Sequence, residues 1–169
     1  MKKHTPFIFA LLILVSCNSK SDNKLESFEV ESKEKRIEIL SEQIKEYSKI
    51  LDTEYSLFNT NGFGNTIVFI PAASYSDYKM ALKVDATNVD KWLVGMYQAE
   101  NENAEDSVWI NSILDNLDRT RKQNWVENME KSNPKRFTIS ATNGRTKVAI
   151  VYQNDTLKDA IIFERIIQN

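Results

Sequence analysis

The chain has 169 residues, with 22 Lys and Arg against 24 Asp and Glu, for a net charge of −2. That balance gives no general attraction to nucleic acid or to an anionic lipid surface. A single cysteine cannot close a disulfide within the chain, and a single histidine leaves little imidazole chemistry to work with.

Lys2, Lys3 and His4 precede an unbroken apolar run from Phe7 to Val15, which closes on Leu14-Val15-Ser16-Cys17. Nine apolar residues make about 13–14 Å of helix, less than half of a hydrocarbon core of roughly 30 Å. The stretch therefore has the build of a secretory signal rather than of a membrane span. Its ending resembles the lipobox of bacterial lipoproteins: an aliphatic residue, two tolerated positions, then the cysteine. The resemblance implies cleavage after a signal peptide of residues 1–16 and transfer of diacylglycerol to Cys17. Two acyl chains matter, because one lipid gives only marginal membrane binding. Asn18 rather than Asp after the cysteine favours the outer membrane over the inner one.

Removing residues 1–16 takes Lys2, Lys3 and His4 with it, leaving 20 basic residues against 24 acids and a net charge of −4. The mature chain then has no imidazole and no free thiol. Ser-His and Cys-His nucleophilic pairs and zinc sites drawn from His and Cys are thereby excluded. No metal or cofactor is expected, and any catalysis would rest on carboxylates, lysine, tyrosine or else a bound cofactor.

Residues 17–29 read as a lipidated flexible tether, since only Leu25 and Phe28 are apolar after Cys17. Residues 30–169 are expected to form one domain. Between Val30 and Phe58, Ile37, Leu40, Ile44, Tyr47, Leu51 and Phe58 recur at helical steps, with Glu54 the polar intruder, which predicts a helix docked on a sheet. Thr66 to Ile70 reads as a short strand ended by Pro71. Asp77 to Asp85 alternates strictly, with Tyr78, Met80, Leu82 and Val84 on one face, and is expected to pair with it as a hairpin.

Thr87 offers a cap to a short helix carrying Val89, Trp92, Leu93 and Met96. After the acidic loop Glu100 to Asp106, with Asp106 or Ser107 as cap, Trp109, Ile110, Ile113, Leu114 and Leu117 form a second apolar stripe. Polar residues 118–124 interrupt the pattern before Trp125 and Met129 resume it, so one long helix or two should end before Asn133-Pro134. Arg136 to Ser140, Thr146 to Tyr152 and Lys158 to Ile167 read as a three-stranded meander turning at Asn143-Gly144 and Asn154-Asp155. The last strand is apolar on both faces at Ala160-Ile161-Ile162-Phe163, which places it centrally. The expected fold is α+β: an antiparallel sheet, made of an N-terminal hairpin and a C-terminal meander, with helices packed on one face. The closing order of elements resembles small lipoproteins of outer-membrane assembly, a likeness of fold alone.

Several short patterns carry little. Ser76-Asp77-Tyr78-Lys79 matches the Ser-x-x-Lys string of serine β-lactamases, but it enters a strand, where its ends face opposite ways. Gly62-Phe63-Gly64 lacks the rest of any phosphate-binding loop. Glu100, Glu102, Glu105 and Asp106 have oxygens for calcium but not EF-hand spacing. Asp106-Ser107-Val108 and Asp155-Thr156-Leu157 resemble an O-glycosylation signal of Bacteroidetes envelope proteins.

Two features point to a partner. Arg119, Arg121, Lys122, Lys131, Lys135, Arg136, Arg145 and Lys147 make the middle of the chain basic, and Trp125 stands among Asn124, Glu127 and Asn128, the most exposed setting of the three tryptophans. Trp125, Arg119, Arg121 and Lys122 are thus the candidate binding residues. The sequence as a whole predicts a non-enzymatic cell-envelope lipoprotein held at the bilayer by acylated Cys17. Its further partner would be an envelope protein, a toxin neutralised by it as an immunity protein, or a glycan, and not nucleic acid. A carboxylate-based enzyme acting on cell-wall sugars is the alternative, which needs two facing acids.

Overall fold

The computed structural model describes residues 23–63, 74–99, 103–140, 144–154 and 156–169. The lipobox, the strand expected over Thr66 to Ile70, Glu100 and Glu102, Asn143 and Asp155 lie outside the described residues. Among the described residues seven strands form one antiparallel sheet: β1 (Lys24–Glu26), β2 (Ile50–Asn59), β3 (Ser76–Asp85), β4 (Tyr97–Gln98), β5 (Asn133–Ser140), β6 (Arg145–Gln153) and β7 (Asp159–Gln168). Their spatial order is β1-β2-β3-β7-β6-β5-β4. The last strand of the chain thus closes the sheet between β3 and β6, as its two apolar faces demand.

Also among the described residues, four α-helices flank the sheet: α1 (Lys33–Gln43), α2 (Val89–Trp92), α3 (Ala104–Leu114) and α4 (Arg119–Glu130). They occupy both faces, not one as the sequence suggested. On the first face Leu40 of α1 and Val89 and Trp92 of α2 pack on Tyr55, Met80, Leu82, Ala149, Val151 and Ile162. On the second, Trp109, Ile110, Ile113 and Leu114 of α3 and Trp125 of α4 pack on Ala81, Ile150, Ile161 and Phe163. The cause is the period of two: neighbouring residues of β3, β6 and β7 point to opposite faces, and both sets are apolar. Burying only one set would leave the other in water at about 25 cal/mol for each Å² of apolar surface.

The stretch from Val30 to Phe58 is not one helix. Ser32 caps α1 by accepting from the Lys35 amide at 3.3 Å, and the helix ends at Gln43. Ile50 to Asn59 is strand β2, paired with β3 from Ile50↔Val84 to Asn59↔Ser76. Its β-branched and aromatic residues suit a strand, and tertiary pairing overrides the accidental helical spacing. The neighbours of β3 are β2 and β7; the expected hairpin's second strand is present as β3, while its first, residues 66–70, lies outside the described residues.

Ahead of residue 30, Lys24 to Glu26 pair with Phe58 to Ser56 as strand β1, and Ser27–Glu29 form a 3-10 turn. Beyond β1 the edge of β2 is blunted by side chains. The Tyr55 amide donates to Ser27 Oγ at 2.9 Å, and Arg36 Nε donates to the Thr53 carbonyl at 3.0 Å. An edge occupied in this way cannot recruit a foreign strand.

The helical region between the hairpin and the meander follows the sequence more closely. Asp85, not Thr87, is the acceptor at the turn before α2, taking the Thr87 amide at 2.9 Å. Asn103 caps α3, and Asp118 caps α4 by accepting from the Thr120 and Arg121 amides at 2.9 and 3.0 Å. Of the two readings left open, one long helix or two, the two-helix one is present. The three strands β5, β6 and β7 form the antiparallel meander expected, and Gly144 takes φ +75° at the turn into β6, a region L-residues with a side chain avoid.

Candidate functional site

The sequence-derived binding residues do not form a site. Trp125 is only 1 % exposed and packs 6.4 Å from the Phe163 ring beneath α4. Its polar sequence neighbours are the solvent side of the same helix, which local composition cannot distinguish from a solvent side around the ring. Lys83 covers the Trp125 ring at 5.3 Å. Arg121 is turned inward, where its Nε and Nη2 donate to Glu54 Oε1 and Oε2 at 3.1 and 2.6 Å. Lys122 is paired with Asp115 at 2.7 Å, and Arg119 is exposed. The remaining basic residues scatter: Arg136 pairs with Asp106 at 2.7 Å on the second face, and Lys147 lies on the first.

Glu54 marks a structural centre. It is fully buried on β2, held by Arg121 from α4 and approached by Arg36 Nη2 from α1 at 3.5 Å. Arg36 also bonds the Glu31 carbonyl at 2.8 Å and Asp52 at 3.0 Å, so two helices and the sheet edge meet in one charge network. With every charge partnered inside the protein, the network is a tie between elements and leaves no vacant group for chemistry.

Of the acidic loop, Glu105 and Asp106 fall within the described residues. Asp106 accepts from Trp109 Nε1 at 3.2 Å as well as from Arg136, which neutralises it. Among the described residues no group of three His, Cys, Asp or Glu side chains forms a metal-ligating cluster. The described lining of a concavity of about 450 Å³ beside this pair, between α3 and β5, carries no further charge of either sign.

The candidate site is a groove of about 720 Å³ on the first face, at the end of the sheet where β2 finishes and β3 and β6 begin. Strand register builds its floor. Tyr78, Ile166 and Lys147 sit side by side on β3, β7 and β6, with Met80, Glu164 and Ala149 as the next row and Ser76, Gln168 and Arg145 as the row before. The segment after α1, with Ile44, Lys45 and Tyr47, makes one wall, and Val94 after α2 contributes to the other. A concave volume in the range of a few hundred to a thousand Å³, with a few convergent polar groups, is the usual form of a ligand site.

Its polar centre is Glu164 with Lys147. Glu164 is 3 % exposed, and Lys147 Nζ lies 2.8 Å from its Oε2. The ammonium also donates to the Trp92 carbonyl at 3.2 Å and lies 5.5 Å from the Tyr47 ring centre. Burial raises the Glu164 carboxyl above its ordinary proton affinity, and the charges of Lys147 and then Arg145 work against that shift. Tyr47 is held edge-on to Trp92 at 5.4 Å and carries Lys45 over its ring at 5.2 Å. Trp92 is fixed in turn by donating to Ser48 Oγ at 2.8 Å. The rim is therefore a packed assembly of rings and cations rather than loose surface lysines.

The signal for this site was present but unused. Glu164 falls on the inward parity of a strand that is apolar on both faces, between Ile162 and Ile166. An acid there must be buried, and burial requires a cation; Lys147 at the inward parity of β6 is that cation. What parity could not give was the register that puts the two side by side.

The fold and groove define an α+β domain with a seven-stranded antiparallel sheet between two helical layers. No protein-family model, no curated protein and no solved structure matches the chain. Among the described residues no helix is long and apolar enough to cross a membrane.

Proposed function

We propose that the protein is a lipid-anchored, non-enzymatic binding module of the cell envelope, held at the outer membrane through diacylated Cys17. Its binding surface is the groove on the first face. The observation that carries this reading is the groove's chemistry. Cations and tyrosines converge on a concavity whose described lining holds one carboxylate, Glu164, already engaged by Lys147. Hydrolysis of a glycoside by paired acids needs a second carboxylate about 5–9.5 Å away, and the described lining supplies none. Binding needs only the donors and the shape.

Two measurements test the reading together. Replacing Cys17 by Ala should abolish labelling by radioactive palmitate and move the protein out of the membrane fraction. Persistent labelling or membrane retention would remove the anchor from the proposal. A photocrosslinking residue at Val94, on the groove wall and 75 % exposed, should capture an envelope component. The same residue at Val108 on α3, 69 % exposed on the opposite face, should not. Equal capture, or none at either position, would overturn the assignment of the groove.

A further inference from the structure

The groove and the first described residue, Asn23, lie at the same end of the sheet. The described domain starts at Asn23, whose carbonyl accepts from the Asn59 amide at 3.0 Å and whose Nδ2 donates to the Thr60 carbonyl at 3.4 Å. Asn59 and Asn61 are themselves part of the groove's rim. From Cys17 to Asn23 there are six Cα-to-Cα steps. Fully extended they reach about 20 Å, half of what a tether running to residue 29 would allow. An acylated Cys17 would thus keep Asn23, which is hydrogen-bonded to the rim residue Asn59, within about 20 Å of the lipid it carries.

The groove is built for the chemistry found there. Lys45 and Arg145 are exposed at its rim, and Lys147 stands in its floor, against Glu164 as the lining's single described acid. The protein carries excess acid overall, so this local excess of cations runs against the net charge and is a property of the site. Tyr47 and Tyr75 on the rim are 40 % and 37 % exposed, and Val94 is 75 % exposed. Partly exposed tyrosines beside cations match the layer where a bilayer passes from apolar to wet. A peptide entering the groove would find no strand to pair with, because β3, β7 and β6 each have a neighbour on both edges.

We propose that the groove binds the phosphate-bearing headgroup of an anionic amphiphile in the membrane that holds Cys17. The phosphate is met by Arg145 and Lys45 at the rim, with Lys147 beneath. This deepens the binding-module reading and rests on it. Protein and lipid then touch at two places, the covalent acyl chains and the headgroup, which would hold the domain in one orientation on the surface. The second contact is effectively intramolecular, so even a weak headgroup site would be well occupied.

The test uses the mature, acylated protein in a neutral detergent. Calorimetric titration with short-chain phosphatidylglycerol or phosphatidic acid should show one saturable site, and short-chain phosphatidylcholine should bind at least about tenfold more weakly. Arg145→Gln and Lys45→Gln should each weaken the anionic lipid about three- to tenfold, as expected for loss of one charge-assisted contact. Arg119→Gln, exposed on α4 away from the groove, should leave it unchanged. Inorganic phosphate binding as tightly as the lipid would overturn the lipid source. Equal weakening by Arg119→Gln would overturn the groove as the place of binding. If anionic lipid does not bind while Val94 crosslinking still captures a soluble glycan or a protein, the headgroup proposal fails and the binding-module reading stands. If neither binds, both fail.

Discussion

Replacing Glu54 by Ala should unfold the domain more readily than any single surface change, because it removes the acid from a buried charge network. Glu54 is 0 % exposed and neutralises Arg121 through two contacts, at 3.1 and 2.6 Å. After the substitution Arg36 keeps Asp52 and the Thr53 and Glu31 carbonyls, so it stays compensated. Arg121 keeps only the Ser27 carbonyl at 3.1 Å, and its side chain is 18 % exposed. Breaking a buried pair by removing one partner costs about 3–5 kcal/mol, and the partial exposure of Arg121 sets the expectation near about 3 kcal/mol. For a domain of this size that is a fall of about 10 °C in Tm. Arg121→Ala should cost at least as much, since it strands a fully buried carboxylate with only Arg36 at 3.5 Å. The double variant should be less damaged than the sum of the singles by about 2 kcal/mol, within the range of directly contacting pairs. Urea denaturation followed by circular dichroism gives all three values. Single losses below about 1 kcal/mol that simply add would refute the reasoning, because that is the behaviour of a solvated surface pair.

Other changes probe other parts of the structure. Trp125→Ala should cost about 3–5 kcal/mol, with the Trp125 emission shielded from acrylamide in the native protein; ready quenching would place the ring in water. Gly144→Ala should cost about 1–2 kcal/mol, since φ is +75° and the new Cβ would sit 3.3 Å from the Asn169 carbonyl oxygen. Tyr55→Phe removes a buried hydroxyl with no partner among the described residues, so it should be neutral or stabilising by up to about 1 kcal/mol, and a clear loss of stability would reveal a missed hydrogen bond.

Glu164→Gln tests the groove's floor through pH. The folded carboxyl is raised above its ordinary value of 4.5, so above that pH the native state holds a proton that the unfolded chain has released. Its contribution to stability therefore falls as pH climbs from 4.5 toward the folded value. The unfolding free energy of the wild type minus that of the variant should decline over that window. A flat or rising difference would mean that Lys147 outweighs burial.

The sequence made much of the fold legible because burial is written with a period. The alternation of Asp77 to Asp85 became β3, and the apolar stripe from Trp109 to Leu117 became the buried face of α3 and its following turn. The doubly apolar run at Ala160 to Phe163 became the centre of the sheet. Where the period misled, two templates fitted the same residues. Leu51, Glu54 and Phe58 fell on a helical stripe on paper, yet they lie in strand β2, because β1 and β3 were available to pair with it. Trp125 and Arg121 were misjudged because a helix with one buried ring and one buried guanidinium is polar almost everywhere else along its length.

The chain alone determined the charge balance, the residue types available for chemistry, the α+β class and the expectation of an acylated Cys17. Those depend on composition and on contacts within a few residues. Tertiary structure decided which acids and bases meet. Glu54 and Arg121 are 67 residues apart and share a bidentate contact, while Lys147 reaches Glu164 only because β6 and β7 pair in one register. A shift of one residue would turn either strand's charge to the opposite face. Register is fixed by the whole core at once, so the groove was absent from any local reading of the chain.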